Sequence, residues 1–99
     1  MKELTPSDFD NLCKLNRKYI NKIVIVKFYL PYCGPCKATI PEYEKLDELA
    51  KNNKKYIVAQ LDGDKYRDLT NTGLEYGFKI DGFPTIIIYR NTLFNSKYE

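Results

Sequence analysis

Cys33 and Cys36 stand three residues apart in the run Tyr32-Cys33-Gly34-Pro35-Cys36-Lys37. An apolar stretch, residues 23–30, ends just before them, and a helical pattern begins with them. The pair therefore sits where a strand hands over to a helix. A thiolate in the first turn of a helix faces unpaired N–H groups and the positive end of the macrodipole. Both lower its pKa and make it a nucleophile near neutral pH. One turn later the second cysteine shares that face and can close a disulfide. The competing chemistry is half of a zinc site. Zinc asks for four ligands, usually two such pairs or histidines. The chain has no histidine, and of its three cysteines only Cys13 remains. Zinc and a Cys–His nucleophile are therefore both disfavoured, and a redox pair is expected to need no metal and no organic cofactor.

The elements that must position this pair follow from periodicity. Residues 23–30 are nearly continuously apolar, as in a central strand covered on both faces. Residues 35–52 form a helix with Ile40, Tyr43, Leu46 and Ala50 at helical spacing. A second strand spans 56–61, and a weaker helix spans 64–76 with Gly73 inside it. Residues 85–89 are a third strand, and Asn91-Thr92 turns the chain into a last one, 93–98. Upstream, residues 1–4 suit a short strand. Thr5-Pro6-Ser7-Asp8 reads as a helix start, with Thr5 as cap and Pro6 in the first position. Phe9, Leu12, Cys13 and Ile20 then share one face of the expected helix, where Cys13 would pack in the core. The order β-α-β-α-β-α-β-β implies an α/β fold. Its mixed sheet would have four to five strands, helices on both faces and a terminal hairpin.

Ninety-nine residues allow one small domain, residues 1–99, and the 43% apolar and 29% charged fractions suit a globular one. The net charge of +3 is small and the basic residues are scattered, which argues against a nucleic-acid partner. No apolar run has the length of a membrane span, and the start, Met1-Lys2-Glu3-Leu4-Thr5-Pro6, lacks a signal-peptide core. A cytoplasmic location is the expectation.

Several stretches resemble the thioredoxin superfamily, in the right order and over about residues 3–98. Val26-Lys27-Phe28-Tyr29 through Cys33-Gly34-Pro35-Cys36-Lys37 resembles the active-site strand and loop. Pro41 matches the family's helix kink, and Gly82-Phe83-Pro84-Thr85 its cis-proline loop. Gly34-Pro35 is the dipeptide of the reducing thioredoxins. Phe28-Tyr29-Leu30-Pro31-Tyr32 and Pro41-Glu42-Tyr43-Glu44-Lys45-Leu46 look more like protein disulfide isomerase domains, which usually carry Gly-His between the cysteines.

The resemblance implies a thiol–disulfide oxidoreductase acting in the reducing direction. Isomerase, oxidase and non-catalytic interaction modules are the alternatives. It makes Cys33 the attacking thiolate and Cys36 the resolving thiol. Tyr32, Gly34, Pro35, Phe83 and Pro84 become the substrate-binding surface. A cis Phe83–Pro84 bond would free the Phe83 backbone to pair with a substrate strand. The implied partners are protein disulfides and a thioredoxin-reductase-like or other thiol electron donor. Tyr29 and Tyr32 stand where thioredoxins usually have Trp. Lys27 stands where they carry a buried aspartate, and Gln60 where they carry its lysine partner. Lys27 is thus a candidate catalytic residue. It could favour a Cys36 thiolate or, with a lowered pKa, serve as a base, against the plainer reading of a lysine that snorkels to solvent. The family follows its last strand with a helix, and this sequence stops at Tyr98-Glu99. The expectation is an uncovered apolar sheet face in a cut fragment, covered by a partner or closed by self-association.

Overall fold

β4 (Ile23–Tyr29) carries the apolar run before the cysteines and lies mid-sheet. Side chains alternate along a strand. Val24, Val26 and Phe28 are fully buried on one face, while Ile23, Ile25, Lys27 and Tyr29 take the other. β5 (Tyr56–Asp62) runs parallel to β4 on one side, and β6 (Thr85–Arg90) antiparallel on the other. A parallel neighbour requires a crossover. It is made by α1 (Gly34–Ala38) and α2 (Ile40–Ala50), and so the cysteines fall at the end of a central strand. β7 (Leu93–Tyr98) pairs with β6 through Asn91 and Thr92, whose φ values are 51° and 72°. Left-handed backbone at both turn positions matches the twist of a two-residue hairpin.

The computed structural model describes residues 1–71 and 80–98. β1 (Lys2–Glu3) lies parallel to the outer side of β5. β2 (Phe9–Asn11) and β3 (Lys14–Leu15) extend the sheet beyond β7. The strand order is β1-β5-β4-β6-β7-β3-β2. Seven strands exceed the expected four to five because the segment read as the first helix is instead a hairpin.

The helix start is real but stops after one 3-10 turn, Pro6–Asp8. Asp8 is the reason. Its carboxylate accepts from the Thr5 N–H (2.9 Å), the Tyr19 hydroxyl (2.6 Å) and Lys18 Nζ (2.8 Å). Its carbonyl accepts from the Asn16 N–H (2.7 Å). These bonds pull the chain back on itself, and Asn11 Oδ1 accepts from the Cys13 N–H (2.7 Å) to make the turn. Phe9 and Leu12 are buried as expected. Ile20 is 48% exposed, and Cys13 lies half-buried in a turn rather than on a helical stripe in the core.

The single helix expected over 35–52 is two helices meeting at Thr39. Pro41 has no N–H to give the Lys37 carbonyl four residues back. The Thr39 N–H caps that carbonyl instead, and the Thr39 hydroxyl donates to the Cys36 carbonyl at 2.7 Å. Of the helix expected over 64–76, α3 (Arg67–Asn71) is seen. Gly73 and the stretch after it lie outside the described residues.

The main core gathers Val24, Val26, Phe28, Ala59, Leu61, Ile87 and Tyr89 of the sheet with Phe9, Leu12, Leu15 and Tyr19 of the hairpin region. Leu69 of α3 packs against this face. On the opposite face, Tyr43 anchors α2 by donating to the Ala59 carbonyl (2.6 Å).

Candidate redox site

Cys33 caps α1 and Cys36 lies in its first turn. The two are joined as a disulfide, with their Cα atoms 5.1 Å apart. Cys33 Sγ accepts from the Cys36 N–H at 3.1 Å. An N–H aimed at this sulfur would stabilise negative charge on it once the disulfide opens. The two sulfurs differ in access: Cys36 is 3% exposed and Cys33 is half-buried.

The Phe83–Pro84 peptide bond is cis. The Phe83 carbonyl oxygen lies 3.7 Å from Cys33 Sγ, close enough to accept from a Cys33 thiol. The Thr85 hydroxyl ties the loop down by donating to the Gly82 carbonyl (2.6 Å). Gly63 seats it from below. A Cβ there would come within 2.5 Å of the Phe83 ring and 3.2 Å of the Tyr29 carbonyl. Above the loop and α1 the surface is open, since a Cβ on Gly34 or Gly82 would meet nothing within 4 Å. Gly34 and Pro35 are exposed beside Cys33, while Phe83 and Pro84 are half-buried. Tyr32 is 66% exposed, and its hydroxyl donates to Asp64 Oδ1 at 3.2 Å. Arg67 grips the same oxygen, so the ring is held at the rim of the site.

Lys27 does not snorkel: it is 2% exposed. Its Nζ donates to Thr39 Oγ1 at 3.4 Å and lies 4.8 Å from the centre of the Tyr43 ring. It meets the active-site helix at the α1–α2 junction, on the residue whose hydroxyl binds the Cys36 carbonyl. Burial pulls its pKa below the ordinary lysine range, and the nearby Glu44 and Glu3 carboxylates oppose that pull. Gln60, level with it on β5, donates to Glu3 Oε1 (2.5 Å). The Tyr29 hydroxyl donates to that oxygen too (3.2 Å), and burial with the Glu3 charge pushes its pKa up to about 12.

The site residues expected from sequence thus gather on two loops and the strand beneath them. Gly63, Asp64, Arg67, Thr39 and Glu3 join them unforeseen. Asp62-Gly63-Asp64 does carry turn residues at a strand end. Nothing in that signal names Phe83 or Tyr32 as its neighbours. Among the described residues, no cluster of acidic or cysteine side chains has the makings of a metal site. No helix among them is long and apolar enough to cross a membrane.

A sequence model of the thioredoxin family matches residues 1–99. A probable protein disulfide-isomerase A6 of Medicago sativa is 39% identical over 83 residues, covering 84% of this chain and 20% of its own. Protein disulfide isomerase-like 2-2 of Oryza sativa is 40% identical over the same share of both. The chain spans about a fifth of the length of these two relatives. Thioredoxin f from spinach chloroplast (long form) superposes with a TM-score of 0.68 at 27% identity, covering 98% of this chain and 72% of that one. A match running the whole sequence and a solved neighbour that superposes on nearly all of it support one assignment: this chain belongs to the thioredoxin family.

Proposed function

We propose that the protein is a thiol–disulfide oxidoreductase that cycles Cys33 and Cys36 between dithiol and disulfide and reduces disulfides of other proteins. The observation that carries this reading is the cap geometry. A partly accessible sulfur accepts an N–H at 3.1 Å, with a buried second sulfur one turn on and a carbonyl 3.7 Å away on the cis-proline loop.

In the cycle, the Cys33 thiolate attacks one sulfur of a substrate disulfide. A Cys33–substrate disulfide forms and the other substrate sulfur leaves as a thiolate. Cys36 then loses its proton and attacks Cys33 Sγ, releasing the second substrate thiolate. Two electrons pass from the protein to the substrate, and a thioredoxin-reductase-like or other dithiol donor returns them. An extended substrate segment pairs with the Phe83 backbone, which needs little side-chain specificity. Tyr32, Gly34, Pro35 and Pro84 form the floor it crosses. Lys27 supplies positive charge under the helix, which eases ionisation of Cys36.

The reducing direction rests on the Gly34-Pro35 spacer, which resembles that of reducing thioredoxins. Isomerase relatives support a second reading, in which the same site rearranges disulfides. Equilibration of the pair in glutathione buffers decides between them. A potential below that of the compartment's thiol pool supports reduction, and one well above it overturns that direction.

The cycle itself is tested by reduction of insulin disulfides with dithiothreitol. Cys33→Ser should abolish catalysis, and Cys36→Ser should accumulate mixed disulfides. Iodoacetamide should label Cys33 well before Cys36 in the reduced protein. Faster labelling of Cys36 would reverse the roles.

A further inference from the structure

Lys27 holds a charged group where hydration is lost. A buried lysine gives up its proton unless something holds the charge. Its direct neighbours, the Thr39 hydroxyl at 3.4 Å and the Tyr43 ring at 4.8 Å, favour the ammonium form, but neither is an anion. The anions come from two other elements.

The strand register supplies the first. Lys27 is level with Gln60 on β5, and Gln60 is level with Glu3 on β1. Level residues on neighbouring parallel strands share a face, so the three form a row with steps of about 4.8 Å. Bonds from Gln60 (2.5 Å) and the Tyr29 hydroxyl (3.2 Å) hold the Glu3 carboxylate at the end of that row. The second anion is Glu44 of α2. It lines, with Lys27, a cavity of about 500 Å³. Among the described residues, the other charges around this cavity are paired among themselves. Asp47 takes the Met1 amino group at 3.1 Å, and Glu48 takes Lys51 at 3.0 Å. On the β6 side the level neighbour is Ile86, which carries no charge.

We propose that Glu3 and Glu44 are positioning residues, one from the sheet edge and one from α2, that hold the ammonium charge of Lys27 beneath the active-site helix and so ease ionisation of Cys36. The inference rests on the reading of Cys36 as the resolving thiol with Lys27 as its nearby cation. No bond to Lys27 forms or breaks. The Cys36 proton goes to water, Lys27 keeps its own, and the thiolate attacks Cys33 Sγ. Two carboxylates on separate elements thereby take up the task of keeping a cation charged in a buried place. Burial drains the proton affinity of Lys27, and Glu44 and Glu3 restore part of it.

The test uses reduced protein carrying Cys13→Ser and Cys33→Ser, so that Cys36 is the one thiol. Cys36 is titrated by thiolate absorbance, and Lys27 by the chemical shift of its Cε. Glu3→Gln and Glu44→Gln should each lower the Lys27 midpoint by about half a pH unit, the size expected for one charge roughly 10 Å away in a partly shielded medium. Each should also raise the Cys36 midpoint, because Lys27 then spends less of the titration charged. Carboxylates acting on Cys36 directly would give the opposite sign, since removing negative charge favours a thiolate. That sign, or an unmoved Lys27 midpoint, overturns the inference. Lys27→Met separates the two layers. An apolar chain in a buried cation's place is tolerated, and the Cys36 midpoint should rise. If it stays put, the role of Lys27 itself fails, whatever the carboxylates do. If it rises while the two Gln variants leave Lys27 unmoved, only the carboxylates are misassigned.

Discussion

Gly63 shows how much of this site depends on one absent atom. It follows β5, donates its N–H to the Tyr29 carbonyl (2.7 Å) and lets the Phe83 ring rest on its Cα. Its backbone asks for no glycine-only conformation, so the constraint is space alone. Gly63→Ala puts a methyl 2.5 Å from Phe83 Cε1. Either the ring moves, carrying the Phe83 carbonyl away from Cys33, or β5 shifts. Overpacking of this kind costs about 1–3 kcal/mol. The expected outcome is a loss of that size in urea unfolding, with insulin reduction slowed about tenfold, equivalent to ~1.4 kcal/mol at the transition state. Phe83→Leu added to Gly63→Ala should recover most of the stability, because the two changes meet at one contact. Full stability and full rate in Gly63→Ala would show that the loop is seated by Thr85 and Gly82 alone. The same dependence on space and register governed what could be read ahead of the structure. Cys33 and Cys36 declare themselves by type and spacing, and Pro84 by its resemblance to a family loop. Glu3 and Thr39 come near Lys27 only through the strand row of β1, β5 and β4 and the α1–α2 junction, and no local pattern encodes that.

At the scale of elements, the region before β4 turns on Asp8. Local signals there favour a helix: a cap, a proline in the first position and apolar residues at helical spacing. They lose to bonds from residues 16, 18 and 19, the first to the Asp8 carbonyl and the other two to its carboxylate, which close a hairpin around this one residue. Burial pushes the Asp8 pKa up, but the Lys18, Tyr19 and Thr5 bonds outweigh it and leave it below the ordinary 3.8. The sign for stability follows. An acid with a depressed folded pKa contributes stability that is present above its unfolded value and is lost as pH falls through the folded one. Asp8→Asn keeps the shape but replaces a charged acceptor with an amide. It should cost about 1–3 kcal/mol at neutral pH. The gap to the parent protein should close as pH drops below about 4. Urea midpoints measured from neutral to acid pH check this, and a gap independent of pH would remove ionised Asp8 as the organiser of the hairpin. The other elements were legible for an opposite reason. β4, β5 and β6 carry apolar, β-branched runs that announce strands on their own, although β6 pairs with β4 and not with β5, and Asn91-Thr92, which leads into β7, is a turn whose chemistry is local. The kink at Thr39 was foreshadowed by Pro41 alone, although the side-chain bond that stabilises it was not.

Viewed whole, the molecule covers the two faces of its sheet unequally. One face is filled by the hairpin region and α3, with Val26, Phe28, Leu61 and Ile87 fully buried. The other is covered by α2 over β5 and half of β4. Beyond Tyr43 and Leu46 a groove of about 520 Å³ opens, floored by Ile25, Ile86 and Ile88 and edged by Ala38. Among the described residues its lining is almost wholly apolar, with Glu42 the one charged side chain on its rim. A groove of this kind binds flat apolar molecules because they displace poorly held water. The 99-residue chain should therefore enhance the fluorescence of an anilinonaphthalene sulfonate dye while still folded. Ile88→Thr keeps a β-branched side chain on the strand and removes apolar surface worth about 1–2 kcal/mol, so dye affinity should fall roughly tenfold. A urea midpoint measured on the same samples separates loss of the groove from loss of the fold. A folded Ile88→Thr protein that binds dye as tightly as its parent would place the exposed apolar surface elsewhere, with Leu49 and Leu93, 78% and 55% exposed, the next positions to substitute.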